Sequence, residues 1–146
     1  MRALSLIALL LLAACSDPAG RQPPTPGETR EAIEPRGGPE VTIRSGAQVP
    51  VVLPAGFSLY PGAKIVSNTV VERKGVRRGL VVFESSDDAA RIVAFYRAEA
   101  AAAGARTTLH IAGDAAASLG GTLREGGRFA LTASRGRPTR AELAFD

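Results

Sequence analysis

The stretch "GLVVFESSDDAARIVAFYRAEAAAAG", residues 79–104, decides the fold, because its apolar period changes part-way from that of a strand to that of a helix. Leu80, Val81, Val82 and Phe83 are apolar at successive positions, so an extended chain would present apolar side chains on both faces of a sheet. That predicts a central strand, covered by a helix on one face and by the segment Val49 to Tyr60 on the other. Ser85 followed three residues later by Asp88 fits a capping box, and the Asp87-Asp88 pair suits the positive end of a helix dipole. Beyond it Ala89, Ile92, Val93, Tyr96, Ala100 and Ala103 recur at helical spacing, while Arg91, Arg97 and Glu99 mostly face elsewhere. Gly104 supplies a C′ stop.

Downstream, four strands are expected, over 105–111, 118–124, 128–134 and 139–145. Gly126-Gly127 and Gly136-Arg137-Pro138 provide tight connections. In the last pair, Phe129, Leu131 and Ala133 would share a face with Ala141, Leu143 and Phe145, leaving Thr132, Arg140 and Glu142 outside. Two faces of opposite character indicate an antiparallel sheet backed by one helix. Upstream, Ala63 to Val71 and Val76 to Glu84 are β-branched runs flanking Glu72-Arg73-Lys74-Gly75, which reads as a hairpin. Pro61-Gly62 matches a type II turn. Pro50, Pro54 and Pro61 each lack a ladder donor, so Val49 to Tyr60 reads as an extended cover rather than a central strand.

All seven aromatic residues lie from Phe57 onward, so the core belongs to that part of the chain. The expectation is an α+β domain over 48–146, with an antiparallel sheet of about five to six strands packed against one main helix. Residues 15–47 contain six of the ten prolines from Ser16 onward and no aromatic residue. Such a composition buries too little apolar surface to offset chain entropy, which predicts a disordered linker, with a short strand at Glu40 to Arg44 as its main exception. Residues 1–14 carry Arg2, the apolar run Ala3 to Leu12 and the small pair Ala13-Ala14. This is a signal helix of export-signal length, too short for a good permanent span, which needs roughly 20 apolar residues.

Leu12-Ala13-Ala14-Cys15 resembles the lipobox of bacterial lipoproteins. The resemblance implies a diacylglyceryl group on the Cys15 thiol, cleavage before Cys15, and acylation of the new amino terminus with chains such as palmitate. Two or three acyl chains, at about 0.8 kcal/mol per buried methylene, anchor a protein stably. Ser16 after the cysteine, by resemblance to the sorting rule of many Gram-negative lipoproteins, implies the periplasmic face of the outer membrane. "LYPGAKIV" together with residues 79–104 also resembles a group of poorly characterised bacterial envelope proteins with a Tyr-Pro-Gly-Ala turn and a Phe-Tyr pair on a helix. That likeness implies kinship of fold and an exported location, and carries no catalytic residues.

The net charge of +4 comes from 16 Arg and 2 Lys spread along the chain against 14 carboxylates. No aromatic-basic sheet signature or recognition-helix pattern points to nucleic acid. One Cys and one His provide neither an internal disulfide nor a Cys/His metal framework, and no cofactor is implied. Arg73, Lys74, Arg77 and Arg78 form the one local cluster of cations, able to engage phosphate or carboxylate groups of lipid or peptidoglycan. The same charges also serve to keep a sheet edge from aggregating. Ser118, His110 and Asp114 are the residue types of a hydrolytic triad, but all lie in or near one hairpin, where reach is limited. Asp87 and Asp88 read as helix-start residues, and "GGTLREGG" lacks the Lys-Ser/Thr and the strand-to-helix setting of a phosphate loop.

The sequence therefore supports a lipid-anchored, non-enzymatic binding or accessory module of the envelope. It touches the membrane through the N-terminal lipid, and an envelope protein, peptidoglycan or anionic lipid are its candidate partners. An envelope hydrolase using Ser118, His110 and Asp114, and a structural subunit of an envelope complex, are the alternatives.

Overall fold

A computed structural model describes residues 27–33 and 41–146. The signal segment, Cys15 and the first part of the expected linker lie outside the described residues. The order of elements is β1 (Thr29–Ile33), β2 (Val41–Gly46), β3 (Lys64–Arg73), β4 (Val76–Ser85), α1 (Ala89–Ala102), β5 (Arg106–Ala112), β6 (Ala116–Thr122), β7 (Arg128–Ser134) and β8 (Thr139–Phe145). The strands form one sheet in the order β1-β2-β3-β4-β8-β7-β6-β5, with every neighbouring pair antiparallel. The α+β class, with one helix packed on an antiparallel sheet, is as expected. The sheet has more strands than the expected five to six: β2 lies where the short strand at Glu40 to Arg44 was expected, and β1 adds a further strand within the stretch expected to be linker. Strand β2 gains hydrogen bonds from β1 and β3 on its two sides without filling a core, and Val41 to Gly46 are only half-buried. That is why a stretch without aromatics joins the sheet.

One face of the sheet, here the inner face, carries α1 and the core. Val81 and Phe83 of β4 pair with Leu143 and Ala141 of β8, which pair in turn with Leu131 and Ala133 of β7. All are buried against Ile92, Val93, Tyr96 and Ala100 of α1. The expected alternation in the last two strands is observed, with Phe129, Leu131, Ala133, Ala141, Leu143 and Phe145 buried. The segment after Val49 departs from expectation. Phe57 and Tyr60 belong to the same cluster as α1, so this segment covers the inner face beside the helix, not the opposite face. The cause is chemical: Phe57 stacks on Tyr96 at 6.4 Å, the Tyr60 N–H donates to Tyr96 Oη at 3.2 Å, and the Tyr60 hydroxyl donates to Asp87 Oδ2 at 2.6 Å. No described element covers the outer face.

The ends of α1 are set by two local motifs. Asp88 is the N-cap, its Oδ1 accepting from the Arg91 N–H at 2.8 Å. The expected capping residue, Ser85, instead ends β4 opposite Thr139, and its Oγ accepts from the Asp87 N–H. Sheet pairing holds Ser85 extended, so the helix begins after it. At the other end, Gly104 has φ +69, the Gly104 N–H bonds to the Ala101 carbonyl, and the Ala105 N–H bonds to that of Ala100. This is the Schellman pattern predicted by the glycine.

Candidate functional site

Two residues carry the turn between β3 and β4, Lys74 (φ 51) and Gly75 (φ 76), and positive φ at both defines a type I′ hairpin. The sequence suggested that Arg73, Lys74, Arg77 and Arg78 act together, but the pleat divides them. Arg77 pairs with Glu72 on the inner face, and its Nε donates to Glu72 Oε1 at 2.7 Å. Arg73 and Arg78, opposite Val76 and Val71, lie on the outer face with no ion-pair partner among the described residues. Strand alternation makes this split unavoidable whenever two cations are adjacent in one strand.

The end of the sheet that holds this turn also holds the β6–β7 turn, the start of β5 and the end of β8. Arg106, Arg124 and Arg128 therefore join the hairpin cations there, against Glu72, Glu125 and Asp146. Asp146 bridges to Arg128, accepting from its backbone N–H at 2.6 Å and from its guanidinium at 3.1 Å. Those hydrogen bonds hold the Asp146 carboxyl below its usual range. The inner side of this basic end contains a cleft of about 520 Å³. Val52, Leu53, Pro54, Ala102, Leu123 and Phe145 give it apolar walls, and Arg77 and Arg124 stand at its polar margin together with Glu125 and Asp146. Arg124 has no ion-pair partner among the described residues.

Two features shape the cleft. The Phe57 N–H bonds to the Pro54 carbonyl, and Gly56, at φ +82, closes that turn so tightly against Ala103 that a Cβ there would lie 2.7 Å from the alanine methyl. Glu99 then clamps the loop to α1, accepting from the Ser58 N–H at 2.7 Å and the Ser58 hydroxyl at 2.5 Å. The cleft was not visible in the sequence, since its walls come from a loop, a helix end and two strand ends far apart in the chain. The only local sign is the Pro54-Ala55-Gly56 turn.

The triad residues are not brought together. In the β5–β6 register His110 lies opposite Leu119, whose side chain is buried on the inner face, while Ser118 lies opposite Ile111 on the outer face. Ser118 Oγ lies 3.4 Å from Thr132 Oγ1, and Asp114 sits exposed in the turn. Side chains on opposite faces cannot exchange a proton, so Ser118 and His110 make no nucleophile-base pair. Asp87 and Asp88 serve the helix start and Tyr60. No group of three or more His, Cys, Asp or Glu residues arranged to hold a metal occurs among the described residues. None of their helices is long and apolar enough to cross a membrane. No family model, curated protein or solved structure matches the chain.

Proposed function

We propose that this chain is a lipid-anchored, non-enzymatic binding module of a bacterial envelope, held to the membrane through Cys15 and meeting anionic lipid with its basic end. The anchor rests on the run Leu12-Ala13-Ala14-Cys15 after an apolar export segment. The binding reading rests on one juxtaposition. Unpaired Arg124 and Glu72-paired Arg77 stand at the margin of an apolar-walled cleft on the inner side of the basic end, and unpaired Arg73, Lys74 and Arg78 add positive charge to the same end outside the cleft. An anionic amphiphile has both parts such a surface accommodates, a phosphate for the guanidinium groups and acyl methylenes for the apolar wall. In the same way, the divided positions of Ser118 and His110 favour binding over hydrolysis.

The test compares wild type with Cys15→Ala and with the pair Arg73→Ala/Arg78→Ala. Intact mass after expression in a Gram-negative host should show diacylglyceryl plus acyl mass on a chain beginning at Cys15, absent from Cys15→Ala. The full-length Cys15→Ala chain should sediment with phosphatidylglycerol vesicles at low salt and be released as salt rises, since exposed charges are screened over about 10 Å at 0.1 M. Adding Arg73→Ala/Arg78→Ala should abolish that sedimentation. Unmodified wild-type mass would remove the anchor, and salt-independent or absent vesicle binding would remove the anionic-lipid reading.

A further inference from the structure

His110, the one histidine of the chain, belongs to no triad, but it does line a groove. Helix α1 and β5 run in opposite directions, joined by the turn at Gly104, so the end of β5 lies beside the start of the helix. The groove between them, of about 260 Å³, lies at the far end of the sheet from the basic hairpin. Ala90 and Ala94, one turn apart on α1, form one wall, and Ala112 with Ala117, opposite each other in the ladder, form the floor. All four end at a methyl group, and the bulk they lack leaves the groove open.

Charge stands at both ends of this groove and is of one sign. Arg97 is its last helix residue and His110 its first strand residue, so the antiparallel run of the two elements puts them at the same end. Arg135 lines the other end, where its N–H bonds to the Ala115 carbonyl just past Gly113. From Ala90 to Arg97 the helix rises about 10 Å, and from His110 to Gly113 an extended chain covers about the same, which sets the separation of the two ends. No carboxylate lines the groove. Among the described residues Arg97 and Arg135 have no ion-pair partner, and the His110 ring has no hydrogen-bond partner. Asp88 and Asp114 adjoin the Arg135 end in sequence, but neither lines the groove nor pairs with Arg135.

We infer that this groove binds a small straight-chain dicarboxylate, one carboxylate held by Arg97 and His110, the other by Arg135, with the methylenes between them lying on the alanines. A guanidinium presents paired N–H groups that match a carboxylate, and an imidazole N–H donates to the same acceptor. The middle of the groove offers only apolar side chains, so it suits methylenes and leaves a polar centre without partners. Its volume lies just below the roughly 300–1,000 Å³ of ordinary ligand clefts, which limits the ligand to a slender one. A lone phosphate answers one end and leaves the apolar middle empty. Arg97, His110 and Arg135 are all exposed, so water and salt compete for them, and the binding expected is of millimolar strength.

The test follows the ring-proton resonances of His110 in the full chain carrying Cys15→Ala, at fixed pH and ionic strength; with one histidine in the chain they report on this groove alone. Pimelate, two carboxylates joined by a straight methylene chain, should shift them saturably. Butyrate and inorganic phosphate, each answering one end, should bind about tenfold more weakly, the loss expected for one charge-assisted contact. Arg135→Ala should reduce pimelate to the level of butyrate without changing butyrate itself. Ala94→Leu, at an exposed position, should block pimelate by filling the middle while leaving the thermal melt unchanged. Arg73→Ala/Arg78→Ala, at the far end of the sheet, should leave the response intact, which separates this site from the anionic-lipid surface. Unshifted resonances overturn the proposal. So does equal binding of the three anions, or a pimelate response indifferent to Arg135→Ala or to Ala94→Leu.

Discussion

Tyr96 is the largest side chain the fold buries completely, and its hydroxyl accepts from the Tyr60 N–H. Burial pushes its phenol up to about 12, and burial together with the hydrogen bond to Asp87 does the same for Tyr60. Because the folded values exceed the unfolded value near 10, the neutral phenols favour folding fully below pH 10, and that contribution is lost as pH rises through about 12. The chain has only these two tyrosines, so tyrosinate absorbance reads both. In native protein it should lag the guanidinium-unfolded chain by about two pH units, and circular dichroism should show unfolding beginning between pH 10 and 12. Coincident titrations would mean that both hydroxyls reach water. The helical spacing around Tyr96 predicted its burial, whereas its link to Tyr60 runs through an aperiodic loop that no local pattern reveals. Gly79 was equally hidden. Phe145 lies across it so closely that a Cβ would collide with the ring, a contact between residues distant in sequence.

Helix α1 tests how far local signals decide an element. Both its existence and its glycine stop followed from periodicity and end chemistry. Its start did not, because pairing with β8 claimed Ser85, the expected cap, and Asp88 three residues later caps the helix instead. Asp88→Ala should therefore cost about 1 kcal/mol, a typical N-cap loss, and lower the melting temperature by about 4–8 °C for a domain of this size. Ser85→Ala should cost less, and an equal loss in the two melts would return the cap to Ser85. Strands β7 and β8 have the boundaries expected of them, since strict alternation and flanking turns leave little freedom. Strand β1 lacked such a signal. The hairpin cations were visible as a run of charge, but only the register shows which of them share a face.

At the scale of the molecule, β2 protects β3, whose Val70 is 1% exposed, and the Val49 N–H bonds to the Gly46 carbonyl at the turn after β2. Asn68, fully buried beneath, donates to the carbonyls of Val49 and Pro50. A chain begun at Gln48, the domain start that composition suggested, uncovers the β3 edge along its length. It should melt at a lower temperature and scatter light on heating, whereas a chain begun at Val41 should retain most of the stability; equal melts would show that β2 contributes nothing. Sequence pattern revealed the helix-backed half well, because large apolar side chains punctuate it. It revealed little of the order of strands, and that order has a consequence in time. Strand β8 lies between β4 and β7, pairing with both, yet it follows every other described strand in the chain. As the polypeptide is made from its N-terminus, the β1–β4 meander and the β5–β7 meander share no sheet neighbour until residues 139–145 arrive. Until then Phe83 has no Ala141 beside it, and both flanks of an unfinished sheet stay open to whatever surrounds the growing chain.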